Sequence, residues 1–318
     1  MSKCAPWLLV LACLVGWSAS AAAATVTLQP NESTSEDVFA YEFLGNDNLD
    51  NYNLGPIAFG KLLATSNTNG SGHDIHSLLR FDLSSTGLVY PGQVQSAALK
   101  LRVIDSKTVG FPVTNPTAAL PVNVDVFKVT EAWSETKVTW NTLPDADAGS
   151  IASAKVTGIN QTATFALTDA VKGWVSQPIT NDGVLLTQRE SKINPDNSQY
   201  VGVVFASSAF GSNLPLLEIT LTPNKAGDAN FDGLVDGVDY TIWADHFLET
   251  GASFVTGDFT GDGKVDGADY TVWADNFAPG PLLSVAAVPE PASVVLAAMA
   301  LPALVYVAGR ARRRRYLR

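Results

Sequence analysis

SLLRFDL, residues Ser77–Leu83, alternates apolar and polar side chains with the period of two that a half-buried β-strand requires. Phe81 and the leucines two residues to either side fall on one face of such a strand, whereas Arg80 and Asp82 fall on the other. We therefore expect a strand with one buried apolar face. We expect the two charged side chains to point away from that face and to form structural pairs with their neighbours.

Short runs of the same kind recur throughout residues 25–223, a region long enough for one complete core. Turn-forming clusters such as Asn67–Gly72 and Asn194–Asn197 separate the runs, and little helical periodicity interrupts them. The pattern predicts a mainly β domain, an antiparallel β-sandwich of jelly-roll type. The predicted strands are Thr25–Leu28, Ser77–Leu83, Ala97–Ile104, Asn123–Val129, Val138–Asn141, Gly183–Thr187, Val201–Ala206 and Leu216–Leu221.

The order of short sequence phrases in this region resembles the DNRLRE family of exported β-sandwich domains. The segment between Val109 and Pro121 is longer here than in the shorter members of that family. The resemblance implies a non-catalytic module that binds polysaccharide. The matching phrases are Asn51–Gly55, Ser77–Ser84, Ala97–Leu101, Trp133–Glu135, Val138–Asn141, Leu167–Val171, Trp174, Gly183–Val184 and Leu214–Leu217.

Three tryptophans in the β region could stack on sugar rings, namely Trp133, Trp140 and Trp174. They lie within strand-like runs, and tryptophan in a small sandwich is mostly buried. We therefore expect them to be core residues, and the sequence assigns no residue to a glycan.

Motifs that identify an enzyme do not occur in this sequence: it has no Gly-x-Ser-x-Gly elbow, no glycine-rich phosphate loop and no His-Glu-x-x-His helix. His73-Asp74-Ile75-His76 could contribute metal ligands, but its glycine-rich flank favours a solvated loop. Paired carboxylates for glycan cleavage remain open, because separation in space cannot be read from sequence. A polysaccharide lyase or glycoside hydrolase is therefore the enzymatic alternative, and a purely structural matrix protein is a third.

Two acidic stretches, Gly227–Phe247 and Gly257–Phe277, repeat one spacing of oxygen-bearing residues. Calcium takes about six to eight oxygens, and alternate residues of a turning loop with glycine at position six can supply them. We expect two calcium sites, the second weaker because Thr260 replaces the amide of Asn230. The predicted ligands at loop positions one, three, five, seven, nine and twelve are Asp228, Asn230, Asp232, Leu234 (by its carbonyl), Asp236 and Asp239, then Asp258, Thr260, Asp262, Lys264 (by its carbonyl), Asp266 and Asp269.

Residues 227–280 carry eleven acidic side chains and a single lysine, so like-charge repulsion should open this segment unless cations bind. An acidic, turn-rich linker without metal is the alternative. An apolar stripe at helical spacing follows each loop, and we expect both stripes to be core. Only turn signals precede each loop, so each unit is a loop followed by a helix. The stripes are Tyr240, Trp243, Ala244 and Phe247, and Tyr270, Trp273, Ala274 and Phe277.

Residues 226–280 resemble a type I dockerin, in which duplicated Asp-x-Asn-x-Asp-Gly loops end in Asp and run directly into a helix. The resemblance implies two helices packed about a pseudo-twofold axis, folding that depends on calcium, and a cohesin-like partner. In the best-known dockerins a Ser-Thr pair near the end of the loop helps to recognise cohesin. Gly237-Val238 and Gly267-Ala268 stand at those places here.

The N-terminus has the order of a secretory signal: Lys3, an apolar run Leu8–Trp17 and a small-residue tract that ends at Ala24. We expect cleavage near Ala24. The alternative is a lipoprotein with Cys13 as the lipidated residue, but too little apolar sequence precedes that cysteine. The only other cysteine is Cys4, so the processed chain would contain no disulfide.

The C-terminus resembles a PEP-CTERM sorting tail: Val288–Pro291 is followed by the apolar run Ala292–Ala308 and the basic cluster Arg312–Arg315. The run is long enough to span a bilayer as a helix, and the arginines should hold the end of the chain in the cytoplasm. The resemblance implies that an exosortase removes the tail and leaves the protein at the cell surface or in the matrix. A permanent single-span anchor is the alternative.

Without Lys3 and the six tail arginines, thirteen basic residues face 31 acids, a net charge of about −18, and nucleic acid is not an expected partner. We expect an exported extracellular or surface protein that binds polysaccharide and attaches through a calcium-loaded, dockerin-like module. The expected order is a signal peptide (1–24), a β-sandwich (25–223), the dockerin-like module (224–280) and a membrane or sorting segment (281–318).

Overall fold

Antiparallel β-sheets form the larger part of the computed structural model, which describes residues 23–29, 35–41, 62–68, 74–108, 113–176 and 180–278. The expected signal peptide lies almost wholly outside these residues, and the expected C-terminal tail lies outside them. So do Asn51–Gly55 and His73. No helix within the described ranges combines the length and the apolar character needed to cross a membrane.

Eleven strands and three α-helices occur in the described ranges. The strands are β1 Thr25–Leu28, β2 Ser35–Tyr41, β3 Leu62–Ser66, β4 Ile75–Phe81, β5 Val94–Arg102, β6 Val122–Lys128, β7 Ala152–Val156, β8 Thr162–Ala166, β9 Val184–Gln188, β10 Gly202–Ala206 and β11 Leu216–Leu221. The helices are α1 Thr168–Val175, α2 Gly237–Asp245 and α3 Gly267–Asn276.

The strand pairing is antiparallel and nested. Strand β1 pairs with β11, β4 with β9, β5 with β8 and β6 with β7. One sheet has the order β1-β11-β5-β8. The other has the order β10-β3-β4-β9-β6-β7, and β2 pairs with β4. The chain therefore brings its first and last strands together, and the strands between them pair from the outside inward.

One hydrophobic core lies between the two sheets. Leu99 and Phe165 reach it from the four-stranded sheet, and Leu79, Leu186 and Phe205 reach it from the larger sheet, all of them fully buried. Burial of each such side chain contributes about 1.5–3 kcal/mol relative to exposure. Because successive residues of a strand point to opposite faces, the larger sheet keeps a second, outer face with its own residues.

The prediction of a mainly β chain built from antiparallel sheets is confirmed, and most of the predicted strands occur within about three residues of their expected bounds. The strand expected at Val138–Asn141 is wrong. Trp140–Thr142 forms one turn of 3-10 helix instead, because the Thr142 hydroxyl accepts a hydrogen bond from Thr139 N at 2.9 Å. Helix α1 was not predicted. It begins two residues after β8, and its few apolar residues do not stand out from those of the strand.

Residues 225–278 contain two similar loop–helix units, in which α2 and α3 directly follow the acidic loops. Each unit holds the other by equivalent contacts. Trp243 Nε1 donates to Asp266 O at 3.0 Å, and Trp273 Nε1 donates to Asp236 O at 2.9 Å. Antiparallel bridges join Thr250 to Lys264 and Val235 to Ala278. The arrangement is a reciprocal pair, as the repeated sequence predicts.

Gly183 and Gly87 provide a test of how tightly β4 and β9 approach. Both have positive φ, +82° and +71°, but a Cβ on Gly183 would lie 2.4 Å from Leu79 O, whereas one on Gly87 would meet open space. We expect Gly87→Ala to cost about 1–2 kcal/mol through its backbone conformation alone. Gly183→Ala should cost at least about 2 kcal/mol more through overpacking. Urea denaturation of both variants measures the difference, and equal costs would contradict the packing described.

Candidate functional sites

A cleft of about 550 Å³ lies on the outer face of the larger sheet. Strands β4, β6 and β9 lie in this part of the sheet, and each of them contributes outer-face side chains to the lining of the cleft. In β6, for example, Val124 and Val126 point inward while Asp125 and Phe127 line the cleft. The polar and aromatic residues of the lining include His76, Asp125, Phe127, Asp147, Thr187 and Arg189.

A two-bond ion pair forms the floor of the cleft. Arg189 Nε and one terminal nitrogen donate to the two carboxylate oxygens of Asp125 at 2.7 and 2.8 Å. The Asp125 side chain is 5% exposed and that of Arg189 is 54% exposed. The hydrogen bonds from Arg189 to Asp125 raise the pKa of the guanidinium. The pair therefore fixes a planar donor group at the surface whose remaining N–H groups face solvent.

His76 and Trp140 form an aromatic wall beside the cleft. Their ring centroids are 4.8 Å apart, and both side chains are half-buried. Burial lowers the pKa of His76 from its ordinary value of 6.5 to about 4, against the opposing effect of the Asp74 carboxylate. The imidazole is therefore neutral at physiological pH, and its contribution to the cleft is an uncharged, hydrogen-bonding ring.

The charges in this region are balanced. Asp125 is paired with Arg189, and Asp147 lies 3.2 Å from Lys128 Nζ. Thr187 stands opposite Asp125 on the neighbouring strand and contributes a hydroxyl. A site with paired charges, hydroxyls and aromatic carbon matches a ligand that is uncharged, or nearly so, and rich in hydroxyl groups.

The tryptophans differ in exposure. Trp133 is buried, as expected, and donates from Nε1 to Asp182 O at 2.7 Å. Trp174 is also buried, and its Nε1 finds no acceptor among the described residues. It lines a second cavity of about 560 Å³, together with Arg80 and Asn181. Trp140 is half-buried against His76 rather than in the core.

Arg80 and Asp82 have the structural partners that their alternation predicts. Arg80 forms an ion pair with Glu36 on β2, and its guanidinium lies 5.4 Å from the centre of the Trp133 ring. Asp82 accepts hydrogen bonds from the backbone N and the hydroxyl of Ser84, which lower the pKa of the carboxyl group. Both residues nevertheless line the cavity beside Trp174, and the Asp82 side chain is exposed.

The interpretation of His73-Asp74-Ile75-His76 as a solvated loop is wrong for its last two residues. Strand β4 begins at Ile75, which is buried, and His76 is half-buried against Trp140. Asp74 lies just before the strand and accepts a hydrogen bond from the Thr68 hydroxyl at 2.8 Å. The strand continues further toward the glycine-rich turn than the composition suggests, because β2 pairs with its whole length.

The first acidic loop is organised by two buried carboxylates. Asp239 is fully buried, and its oxygens accept from Ala229 N at 2.8 Å and Asp236 N at 2.9 Å. Asp228 is 3% exposed, and one of its oxygens accepts from Gly233 N at 3.0 Å. Asp236 caps α2 by accepting from Val238 N.

The other Asp228 oxygen, Oδ1, is buried and finds no hydrogen-bond partner among the described residues. Burial raises the pKa of Asp228, and the nearby charges of Asp239 and Asp232 raise it further. A buried carboxylate oxygen without a donor, beside two more carboxylates, is an unfavourable arrangement unless a cation or a proton joins it.

The remaining predicted ligands of the first loop lie at its exposed rim. Asn230 Oδ1 accepts from Asp232 N at 3.0 Å, and Asp232 Oδ1 accepts from Leu234 N at 2.8 Å. Gly233 has φ +87°, the left-handed conformation that the turn requires. The loop therefore has its side-chain oxygens engaged with its own backbone.

The second loop repeats this arrangement with one difference. Asp269 is fully buried and accepts from Thr260 N at 2.9 Å and Asp266 N at 2.8 Å. Asp258 is 4% exposed, but both of its oxygens have donors: Oδ1 accepts from the N–H groups of Gly261 and Asp262, and Oδ2 accepts from Gly263. Asp262 Oδ1 accepts from Lys264 N, and Asp266 caps α3 through Ala268 N.

In neither loop do the predicted ligands converge on one point as a preformed metal site. Within the described part of the chain, no three His, Cys, Asp or Glu side chains stand together as a metal site. The twelve predicted ligands are brought into two compact loops, but their oxygens mostly accept backbone N–H groups. The first loop is the better fit to a cation, because it alone of the two keeps an unpartnered buried oxygen.

The two aromatic stripes expected as core lie at the surface instead. Tyr240 and Tyr270 are 41% and 43% exposed, and Phe247 and Phe277 are 48% and 45% exposed. The positions that the helices do bury carry the carboxylates Asp239 and Asp269. The prediction was wrong because hydrophobic periodicity cannot show that a helix turns its acidic side inward.

Sequence reasoning also missed the cleft residues Asp125, Thr187 and Arg189. A signal was present in β6, where VNVDVFK places Val122, Val124 and Val126 on one face and an isolated acid on the other. The partner of that acid lies 64 residues later, so only the strand pairing reveals the ion pair.

The sequence of the β-sandwich matches one known protein family. The model described as carbohydrate-binding module family 96 matches residues 56–220, just over half of the chain. The cleft residues lie inside this stretch, and the two acidic loops lie outside it. A comparison with curated proteins found no match.

The depressed pKa of His76 predicts a pH dependence of stability. The unfolded chain binds a proton at this residue below about pH 6.5, whereas the folded chain does so only near pH 4. The unfolding free energy should therefore fall as the pH is lowered through this window, by up to about 3 kcal/mol from this residue. His76→Phe keeps a ring against Trp140 but cannot titrate, so its loss of stability should be smaller. Chemical denaturation at pH 7 and pH 4 measures both slopes; parallel slopes would contradict the burial of a neutral imidazole.

Proposed function

We propose, from the premise that this chain belongs to carbohydrate-binding module family 96, that it is a non-catalytic polysaccharide-binding protein whose ligand lies in the outer-face cleft. The family match over residues 56–220 carries this proposal. The nested strand order supports a jelly-roll-type sandwich of the DNRLRE kind as the framework. The cleft supports the placement, because it gathers aromatic carbon, hydroxyls and balanced charges on one rigid sheet.

The cleft residues would divide the recognition between them. The half-buried wall of His76 and Trp140 and the side chain of Phe127 provide apolar surface for the C–H face of a pyranose. Arg189 and Thr187 provide directed hydrogen bonds for hydroxyl groups. Asp125 holds the guanidinium in one orientation, so little side-chain entropy is lost when a ligand binds.

We further propose that the two acidic loops bind calcium and form a dockerin-like attachment module. The orphaned Asp228 oxygen and the reciprocal packing of the two loop–helix units support this. In the first loop Asp228, Asp232 and Asp239 would contribute carboxylates. A bound cation would remove the repulsion among them and join the two ends of the loop. The partner of the module could be cohesin-like.

We propose that the chain is exported and reaches the cell surface or extracellular matrix. The sequence of residues 1–24 supports export, and the PEP-CTERM-like tail of residues 281–318 supports exosortase processing or a membrane anchor. All but residues 23 and 24 of these two segments lie outside the described residues, so sequence alone supports this part of the proposal.

An enzymatic role is the rival, as a lyase or hydrolase that acts on the same class of ligand. The two carboxylates that line the cleft, Asp125 and Asp147, are each ion-paired with a cation, which favours a structural role for them. Incubation of the full chain with acidic and neutral polysaccharides distinguishes the two roles. New reducing ends or unsaturated products would replace the binding account, and a glycan array without specific retention would favour a purely structural protein.

Arg189→Ala tests the placement of the glycan. The change removes charge-assisted hydrogen bonds, and we expect affinity for the retained polysaccharide to fall about tenfold or more. Affinity gel electrophoresis of the full chain measures the change. Lys100→Ala is the matched control, because it breaks the Lys100–Glu218 pair on the opposite sheet. Equal losses of polysaccharide affinity in the two variants would show that the glycan does not bind in the cleft.

Arg189→Ala leaves the buried Asp125 unpaired, which by itself destabilises the fold. Thr187→Val is therefore a second test of the same cleft. The variant keeps the shape of the side chain and removes only its hydroxyl. We expect weaker polysaccharide binding with an unchanged unfolding midpoint. Unchanged binding by this variant, together with normal binding by folded Arg189→Ala, would place the ligand elsewhere.

Asp228→Asn tests the calcium proposal, because its effect on the stability of the module should be opposite in the absence and in the presence of calcium. In chelator, the variant should stabilise the module, because it removes a buried charge that has an unpartnered oxygen. In millimolar calcium, it should destabilise the module, because a ligand charge is lost. Asp258→Asn is the control, and it should destabilise under both conditions because both Asp258 oxygens have donors. Calorimetric scans of the full chain report both effects; stability indifferent to calcium would overturn the proposal.

A further inference from the structure

Six aromatic rings form one continuous strip on the surface of the loop–helix pair. The strip runs from Phe247 through Trp243 to the two tyrosines, Tyr240 and Tyr270, and on through Trp273 to Phe277. The ring centroids of Phe247 and Trp243 are 5.1 Å apart, and those of Trp243 and Tyr270 are 5.4 Å apart. On the other side, the ring centroids of Tyr240 and Trp273 are 5.2 Å apart, and those of Trp273 and Phe277 are 5.0 Å apart. The tyrosines meet edge to face at 6.4 Å.

The centre of the strip is a shallow groove of about 480 Å³, lined by Tyr240, Trp243, Tyr270 and Trp273. The tyrosines and the terminal phenylalanines are between 41% and 48% exposed, so this aromatic surface is not the interior of the module. The buried side chains of the two units are those of Asp228, Asp239, Asp258, Asp269, Ala229, Phe231, Val235 and Val265. None of the six rings of the strip is among them, and an exposed row of aromatic rings indicates a binding surface.

Hydrogen bonds hold the two tryptophans of the strip in place and engage their indole N–H groups. Each indole N–H already donates to a backbone carbonyl of the opposite unit, Trp243 to Asp266 and Trp273 to Asp236. Gly257 and Gly227 allow each loop to pass close to these tryptophans, since a Cβ on Gly257 would lie 2.8 Å from the Trp243 Cα. A ligand must therefore bind by stacking rather than by accepting an indole hydrogen bond.

The charge around the strip restricts the ligand. Eleven acidic residues and a single lysine lie between residues 227 and 280, and Asp245 and Asp275 follow the tryptophans on the same helices. A polyanion would be repelled by this field even with cations in the loops. The exposed carboxylates can, however, accept hydrogen bonds from hydroxyl groups.

We propose that the aromatic strip is a second polysaccharide-binding site, specific for an uncharged glycan chain. Neighbouring rings of the strip are tilted to one another by 48° to 57°, so they offer separate stacking surfaces for the C–H faces of sugar rings along a chain. The site is separate from the sandwich cleft and does not depend on it. Two sites on one chain would increase retention on a polymer through effective concentration.

Tyr240→Ala/Tyr270→Ala in the full chain tests this site, with calcium present and with cellohexaose and mannohexaose as neutral probes. Calorimetry should show that the double variant binds at least one of these probes about tenfold or more weakly than the parent chain. Tyr240→Phe/Tyr270→Phe is the matched control. It keeps both rings and should bind within about twofold of the parent chain.

Binding of hexagalacturonate, an acidic probe, should not change in either double variant. Phe247→Ala/Phe277→Ala provides a second pair at the ends of the strip and should weaken the binding of the same neutral probe. Unchanged binding of both neutral hexasaccharides by folded alanine variants would overturn the proposal. So would a parent chain that is dimeric in sedimentation while the alanine variants are monomeric, because the strip would then be a self-association surface. Arg189→Ala changes only the cleft, and the tyrosine and phenylalanine variants change only the strip. A wrong cleft proposal can therefore be told apart from a wrong strip proposal.

Discussion

The burial of one face of each sheet against the other is the constraint on which the sandwich depends. Fully buried side chains such as Phe165 and Phe205 enter that core from opposite sheets, so every second residue of each strand is committed to stability. The other face of the larger sheet carries smaller buried clusters, one of them around Leu78, and also Asp125, which pairs with Arg189. Because the core fixes the backbone of β6, Asp125 is held in place and orients the guanidinium of Arg189, which directly follows β9. A binding site on such a sheet costs little entropy to order.

The loop–helix pair is organised differently, because few of its apolar side chains are buried. Its interior is occupied by Asp239 and Asp269, whose oxygens collect backbone N–H groups from their own loops. Carboxylates in the interior leave the aromatic side chains on the outside, where they form the strip. The burial of these carboxylates therefore accounts for both the organisation of the acidic loops and the exposure of the rings.

Much of the fold could be predicted from periodicity. Alternation in β4 and the recurrence of short β-rich runs predicted the mainly β domain, and the repeated acidic loops predicted the two loop–helix units. Helix α1, the 3-10 turn at Trp140 and the ion pair between residues 64 apart could not be found in this way, because each depends on contacts between distant segments. The stripes of α2 and α3 were placed inside on hydrophobicity alone. Their surface position follows from a buried carboxylate on each helix, which hydrophobic pattern analysis takes to be exposed.

The central claim is that a glycan occupies the outer face of the larger sheet. Hydrogen–deuterium exchange of the full chain, with and without the polysaccharide it retains most strongly, tests this most directly. The account predicts that slowed exchange appears in β6, β9 and the loop of residues 144–150, while β5 and β11 on the other sheet are unchanged. Protection confined to β5 and β11, or a sandwich whose exchange no polysaccharide alters, would contradict it.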